Sequence, residues 1–259
     1  MTAERAGRGL ADIGAEAVLI AGGGRAILLQ VANPAIGHAI ARHSRFADGP
    51  MDRLRHTLGY VYAIVYGSPA QVAAVRERVN HRHAAVHSEP GAAPPYDATD
   101  AALQLWVAAT LYDTAMLVHE RLIGTLSDAD RDRVYADYAA IGTALQVPPE
   151  LWPADRAAFA EYWRSQLAGL HVDATTLGVA ESLLYPRTGP LWLRLAMPLA
   201  RLVTAGLLPP GIRNQLRFAW GPRRERRFEL AVAGMRAVNR LLPRRLRQWP
   251  KNALLRQIH

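Results

Sequence analysis

Two short stretches, Arg53-Leu-Arg-His-Thr57-Leu-Gly-Tyr60 and Val79-Asn-His-Arg-His83-Ala-Ala-Val86-His87, carry the pattern that decides the fold of this chain. In both, apolar residues return every three or four positions, which is the period of an amphipathic α-helix. The same spacing recurs along the sequence, and no stretch alternates apolar and polar residues for long enough to suggest a strand. The sequence therefore predicts an all-α protein.

Capping signals indicate where several helices begin. They are Ser68-Pro69, Thr99-Asp100, Ser127-Asp-Ala-Asp130, Asp173 and Pro222. Glycine and proline predict breaks at Gly22-Gly-Gly24, Gly49-Pro50, Glu89-Pro-Gly-Ala-Ala-Pro-Pro95, Val147-Pro-Pro149, Tyr185-Pro186 and Pro209-Pro-Gly211. None of these breaks is a long linker and no segment repeats, so we expect eight or more helices in one compact domain over residues 1–259.

The composition limits the chemistry that the chain can perform. Half of the 259 residues are hydrophobic, which is enough for a sizeable core. There is no cysteine, which excludes disulfides, thiolate-ligated heme, cysteine-bound zinc and a cysteine nucleophile. Any metal must therefore be held by His, Asp, Glu or Tyr, and histidine is the natural candidate.

The net charge of +9 comes almost entirely from arginine, since Lys251 is the only lysine. Two dense clusters, residues 223–227 and 244–247, are able to touch phosphate or an anionic membrane, but such runs are more often solvated helix faces. The charge is therefore no strong indication of nucleic-acid binding. The sequence does not decide whether the chain forms a homo-oligomer.

The N-terminus lacks the apolar core and cleavage pattern of a secretory signal, so we expect a cytoplasmic protein. The most membrane-like segment is Leu191 to Leu208. It is interrupted by Arg194, Pro198 and Arg201, which predicts at most peripheral contact with a membrane and not a crossing.

Two familiar enzyme motifs are missing. Gly22-Gly-Gly24-Arg25 lacks the Gly-Lys-Ser/Thr of a phosphate loop and the glycine spacing of a dinucleotide fingerprint, so we predict a flexible turn there, with a close helix crossing as the alternative. No Gly-x-Ser-x-Gly elbow occurs either, and the sheet that would carry it is not predicted.

Histidines fall on an apolar helical stripe after Ser68. The stripe is formed by four valines, Val72, Val75, Val79 and Val86. On a helix that starts at Pro69, His83 lies about 50° from the centre of the stripe, His87 about 90° away and His81 on the opposite side. His83 is thus the histidine that should point inward, although a lone inward histidine is usually an ordinary core residue.

The preceding helix places Arg53, Thr57, Tyr60 and Ile64 on one face, with His56 beside them. An arginine and a threonine one turn apart can hold a carboxylate, such as a heme propionate, or a bound oxygen species. The ordinary alternative is an Arg53 side chain that reaches water and a Thr57 hydroxyl bonded to its own helix.

A longer series of motifs follows a recognisable order. It comprises Gln30-Val-Ala-Asn-Pro34, His43-Ser-Arg-Phe46, Arg53-x-x-x-Thr57-x-x-Tyr60, Tyr66-Gly67, His83-x-x-Val86, Tyr96-Asp-Ala-Thr-Asp100, Leu105-Trp-Val-Ala-Ala-Thr110-Leu-Tyr-Asp113 and Leu207-Leu-Pro-Pro-Gly-Ile-Arg213. Over about residues 10–245 this series resembles the helical MpaB/rubber-oxygenase family, which includes the latex-clearing proteins.

The resemblance implies a heme b in a globin-like helical core, with an axial histidine on the helix after the Arg-x-x-x-Thr motif. His83 takes that place by its His-x-x-Val context, and His87 is the alternative if the spacing from Thr57 is counted without gaps. Arg53, Thr57 and Tyr60 are then expected to bind the cofactor.

The chain departs from the family pattern beside the threonine. Rubber oxygenases carry a lysine there that can approach the iron from the distal side, whereas this chain has His56. A distal His56 would ligate the iron, donate to bound dioxygen or peroxide, or act as a general acid/base together with Arg53 and Thr57. The alternative is an ordinary polar residue at the edge of the pocket.

The implied function is that of a heme-dependent oxidoreductase, an oxygenase that uses dioxygen or peroxide and acts through an iron-bound oxygen species. The chain is shorter than the rubber-cleaving members, which favours a small apolar or aromatic substrate. Two alternatives remain: a peroxidase-like or gas-binding heme protein, and a non-enzymatic basic helical protein that binds nucleic acid or membranes.

Three polar residues follow Trp106 on the same predicted helix: Asp113, His119 and Glu120. They either line a pocket or are exposed polar positions.

Overall fold

The computed structural model describes residues 7–43, 50–186 and 190–258. Within these ranges the protein is all-α, as predicted: it contains fourteen α-helices and two 3₁₀ helices, and no strand. The α-helices are α1 (Leu10–Ile13), α2 (Gly23–Val31), α3 (Pro34–His43), α4 (Pro50–Tyr66), α5 (Pro69–Ala84), α6 (Ala101–Leu122), α7 (Asp128–Gly142), α8 (Arg156–Gly169), α9 (Ala174–Leu184), α10 (Leu191–Leu207), α11 (Pro210–Gln215), α12 (Pro222–Leu241), α13 (Arg244–Arg247) and α14 (Trp249–Leu255). The 3₁₀ helices span Ala17–Gly22 and Pro149–Leu151.

The predicted capping residues are confirmed at the helix starts. The side chains of Ser68, Asp100, Ser127 and Asp173 each accept a hydrogen bond from the backbone N–H three residues further on. Each bond satisfies a donor that the first turn of a helix leaves unpaired. Pro222 stands in the first turn of α12, where its missing N–H costs nothing.

Helix α6 is the centre of the core. It is apolar almost all round and packs against α2, α7, α12 and the first 3₁₀ helix, as a helix buried on several sides must. The Trp106 ring is fully buried, and its Nε1–H donates to the Leu29 carbonyl at 3.2 Å. In the described part of the chain α6 alone is long and apolar enough to cross a membrane as a single helix, yet half of its apolar window is buried inside the protein.

The prediction of a flexible turn at Gly22-Gly-Gly24 is wrong. The chain stays helical there, because the first 3₁₀ helix ends at Gly22 and α2 begins at Gly23. A Cβ on Gly22 would collide with the Thr114 methyl group, and a Cβ on Gly24 would collide with the Thr204 hydroxyl. The glycines therefore allow α2 to cross α6 and α10 closely, which is the alternative that the sequence left open.

We expect Gly24→Ala to lower the free energy of unfolding by about 1–3 kcal/mol, because the added methyl group overpacks the contact with Thr204. Urea denaturation followed by circular dichroism measures this change. Gly234→Ala is the matched control: nothing lies within 4 Å of the added Cβ in α12, and alanine there should stabilise the helix by up to about 1 kcal/mol. Equal effects at both positions would contradict the close crossing.

Helix α4 is the element that carries the Arg-x-x-x-Thr motif. It packs against α5, α7 and α14, and the Arg53 and Thr57 side chains on it are half-buried. The Tyr60 hydroxyl donates to the Ile141 carbonyl at 3.0 Å and ties the middle of α4 to α7.

Candidate functional site

The inner face of α5 is incompletely covered. Val75 is the one buried residue on this helix, whereas Val72, Val79 and His83 are half-buried. Val86 lies beyond the last residue of the helix and is also half-buried. The principal helix contact of α5 is with α4, and the partly exposed stripe of α5 can therefore accept a further apolar group.

His83 lies at the C-terminal end of this stripe. Its Nδ1 atom is buried and has no hydrogen-bond partner among the described residues, which is uncommon for a buried polar atom. Burial lowers the pKa of His83, the positive charge of Arg53 lowers it further, and Asp97 opposes both effects. The imidazole is therefore neutral at pH 7, which is the form that ligates a metal.

Arg53 is the charged group that the fold brings to His83. Burial lowers the pKa of the Arg53 guanidinium to about 10, so the side chain still carries its charge at neutral pH. A half-buried guanidinium of this kind pairs well with a carboxylate, through two parallel N–H donors. The structure thus brings together two of the predicted residues, Arg53 from α4 and His83 from α5.

Thr57 and Tyr60 continue the Arg53 face along α4, and both are half-buried. Burial raises the pKa of the Tyr60 hydroxyl, which is bound to the carbonyl of Ile141. The Tyr60 ring packs against the hydrophobic core and its hydroxyl holds α4 in place, so its role in cofactor binding stays a prediction.

His56 is exposed and faces α5. Its Nε2 lies 3.2 Å from Nη2 of Arg82, which donates to it. Partial burial lowers the pKa of His56, as do the charges of Arg82 and Arg78, while Asp52 opposes them. His56 is thus neutral, and its Nε2 accepts a hydrogen bond from Arg82. A role on the distal side of a heme stays a prediction, and it requires the His56 ring to turn away from Arg82.

His87 differs from His83 in its surroundings. It is exposed, and its backbone forms an isolated bridge with Asp97 in the loop after α5. The two candidate iron ligands therefore differ in exposure. His83 is half-buried, with a buried Nδ1 that bonds to no described residue, whereas His87 lies at the surface.

A cavity of about 370 Å³ lies next to the same loop, between α3 and α9. Its lining residues are His38, Ala41, Arg42, Ser88, Glu89, Ala92, Ala93, Pro94, Tyr96 and Thr175. The Tyr96 hydroxyl is 3.0 Å from His43 Nε2, and His38 Nε2 is 2.7 Å from an Asp173 carboxylate oxygen. The lining therefore comes from α3, α9 and the loop after α5. Tyr96 directly precedes Asp97, whose charge acts on His83.

The residues after Trp106 do not form one site. Asp113 pairs with Arg25 at 2.5 Å, His119 is buried, and Glu120 is exposed with its Oε1 3.6 Å from Arg131. More broadly, the described residues contain no group of three or more His, Asp or Glu side chains that could hold a bare metal ion.

The buried network around Arg25 was not predicted from the sequence. Its guanidinium donates to the Leu207 carbonyl at 2.9 Å, to the Thr114 hydroxyl at 2.6 Å and to Asp113. It also lies over the Trp163 ring at 5.7 Å. The available signal was a single charge on the otherwise uncharged helix α2, because a buried arginine needs a partner.

Burial of His119 should make the protein less stable in acid. Burial lowers its pKa in the folded state, so below about pH 6.5 the unfolded chain binds a proton that the folded protein does not. The free energy of unfolding should therefore fall as the pH drops from 6.5 towards this lowered value, by at most about 1.4 kcal/mol per pH unit. Urea denaturation between pH 7.5 and 5 measures the slope.

His119→Gln is expected to flatten that pH dependence, and His81→Gln, which replaces an exposed histidine, should leave it unchanged. An identical slope in the wild type and His119→Gln would show that other groups cause the acid sensitivity.

Comparison with known proteins places this geometry in context. Residues 11–237 match the family model described as ER-bound oxygenase mpaB/B'/Rubber oxygenase, catalytic domain. The chain is 36% identical over 227 residues to the uncharacterized protein Mb2261 of Mycobacterium bovis and equally to the uncharacterized protein Rv2237 of Mycobacterium tuberculosis. Each match covers 85% of this chain and 88% of the relative. No solved structure matches.

Proposed function

The chain belongs to the family of ER-bound oxygenase mpaB and rubber oxygenase catalytic domains, and on that premise we propose that it is a heme b-dependent oxygenase of a small apolar or aromatic molecule. The family supports oxygenase chemistry. The observation that carries the heme proposal is the buried, unpartnered ring nitrogen of His83 on a half-covered apolar stripe.

The residues present fit a heme. A porphyrin supplies four nitrogen ligands to its iron, so the protein would need to provide one further ligand, and His83 offers a neutral imidazole for that role. Porphyrin faces are apolar, as are the flanking Val79 and Val75. Porphyrin edges carry propionates, and Arg53 offers a charged guanidinium beside His83.

The heme would supply redox chemistry with dioxygen or peroxide, which protein side chains lack. The chain's own residues would hold and surround it. Burial and, after it, the positive charge of Arg53 lower the pKa of the His83 imidazole, which keeps the ring in the neutral form that ligates a metal. Thr57 offers a hydroxyl on the same face of α4, and Tyr60 keeps α4 fixed against α7 through the Ile141 carbonyl.

The cavity near Tyr96 suits the substrate class. Its alanine and proline lining accepts a small apolar body, and its polar groups, among them Tyr96 and Thr175, can fix orientation. A volume of about 370 Å³ lies in the range of sites that bind small organic molecules.

The test is an absorption spectrum of the full chain purified after heme-supplemented expression. We expect a Soret band that corresponds to about one heme per chain and shifts between the ferric and ferrous forms. A protein that stays colourless after hemin titration would contradict the heme proposal.

Oxygen consumption with a panel of small apolar and aromatic compounds tests the oxygenase part separately. Turnover should consume dioxygen or peroxide and release an oxygenated product. Reversible dioxygen binding without consumption would instead establish the gas-binding alternative.

A further inference from the structure

Helix α10 is half inside and half outside the protein. Its C-terminal half is packed into the core through Val203, Ala205 and Leu207. Its N-terminal half exposes large apolar side chains: Leu191 is 68% exposed, Trp192 58%, Leu195 73% and Leu199 49%. Large exposed apolar patches of this kind usually mark an interaction surface.

These four residues share one face of the helix. At 100° per residue they fall within an arc of about 100°, and they form a continuous apolar strip about two turns long. We call Leu191, Trp192, Leu195 and Leu199 the α10 strip. Arg194 and Arg201 both lie on one side of the helix, next to the strip.

The edge of the strip has the composition of a membrane interface. Arg201 lies over the ring of Tyr185 at 4.5 Å, and Tyr185 is itself largely exposed. Amphipathic rings such as those of Tyr185 and Trp192 are enriched at the level of lipid headgroups. Arginine beside an apolar face pairs with lipid phosphate while its stem stays on the apolar side.

We propose that the α10 strip binds the surface of an anionic phospholipid bilayer, with the helix lying in the plane of the interface. The charge pattern selects this partner: α10 contains two arginines and no acidic residue, and the whole chain carries a net charge of +9. Anionic headgroups complement that charge, and the acyl region takes up the strip.

A second copy of the chain is a poorer occupant. Symmetric pairing along α10 would bring Arg194 of one copy towards Arg194 of the other, with no carboxylate on either helix to neutralise them. Spanning is excluded by the packing, since the C-terminal half of α10 is buried in the protein core.

Vesicle flotation with the full chain tests the strip. Wild-type protein should float with vesicles of phosphatidylglycerol and phosphatidylcholine, bind vesicles of phosphatidylcholine alone more weakly, and lose the difference at high salt. Leu195→Glu should weaken binding about tenfold or more, because a leucine that enters the acyl boundary is replaced by a charge.

Leu230→Glu is the matched control, because Leu230 is 66% exposed on α12 and the substitution adds the same charge. It should leave binding nearly unchanged, and circular dichroism should confirm that both variants fold. Trp192→Ser provides a second variant of the strip without any change of charge, and we expect it also to weaken binding.

The arginine edge is tested independently. Arg194→Gln should weaken binding to the anionic vesicles about fivefold and leave binding to neutral vesicles unchanged, whereas Arg164→Gln on α8 should do neither. The proposal is overturned if wild-type protein does not float, if Leu195→Glu and Leu230→Glu act equally, or if Leu195→Glu only converts a dimer into a monomer.

Discussion

His83→Ala should lose its heme: we expect hemin affinity to fall at least about tenfold and the remaining Soret band to shift. The reason is that the variant removes the α5 imidazole whose buried Nδ1 atom has no hydrogen-bond partner within the described ranges of the chain. Hemin titration followed by absorption, in the ferric and ferrous states, measures both the affinity and the coordination. This is the largest spectroscopic effect that any single substitution in the site should produce.

His87→Ala is the matched control for that experiment. It removes an exposed histidine one turn further along the chain, and it should keep the wild-type spectrum and affinity. The reverse result, heme retained in His83→Ala and lost in His87→Ala, would transfer the axial role to His87. A changed ferric spectrum in His56→Ala alone would place His56 on the distal side of the iron.

Asp113→Ala should destabilise the protein strongly, with a loss of about 3–5 kcal/mol in the free energy of unfolding. The variant leaves the Arg25 guanidinium, 4% exposed, without its carboxylate, and an uncompensated buried charge costs this much. Urea denaturation followed by circular dichroism gives the change, provided that the slopes of the transitions agree.

Two further variants show whether the buried charge is the cause. Glu229→Ala removes the partner of Arg121 in an exposed pair and should cost less than about 1 kcal/mol. The double variant Arg25→Met/Asp113→Leu replaces both charges with apolar groups and should recover most of the stability lost in Asp113→Ala. A double variant as unstable as Asp113→Ala would show that packing, and not the unpaired charge, dominates.

The family and the helical class could be predicted from the sequence because both depend on local order along the chain. Helical periodicity and capping residues such as Ser68 and Asp100 act over three or four positions, and the structure confirms them. His83 as the inward histidine of α5 also follows from periodicity alone, and its half-buried position agrees with that geometry. The globin-like arrangement of the core and the roles of the site residues remain predictions.

Other features could not be predicted because they depend on residues far apart in sequence. Gly22-Gly-Gly24 looked like a turn, since a glycine run specifies no partner, and only the approach of Thr114 and Thr204 shows why a side chain is excluded there. Asp113 looked like a possible pocket residue until packing of α2 on α6 placed Arg25 beside it.

By itself, then, the sequence determined the helical class, the helix starts and the face on which His83 lies, because these follow from spacing within single helices. Tertiary structure alone decided which charges act on one another: the charge of Arg53 acts on His83, Arg82 donates to His56, and Arg25 is neutralised by Asp113. The physical reason is that side-chain electrostatics act over a few ångströms, and only the packing of helices sets those distances.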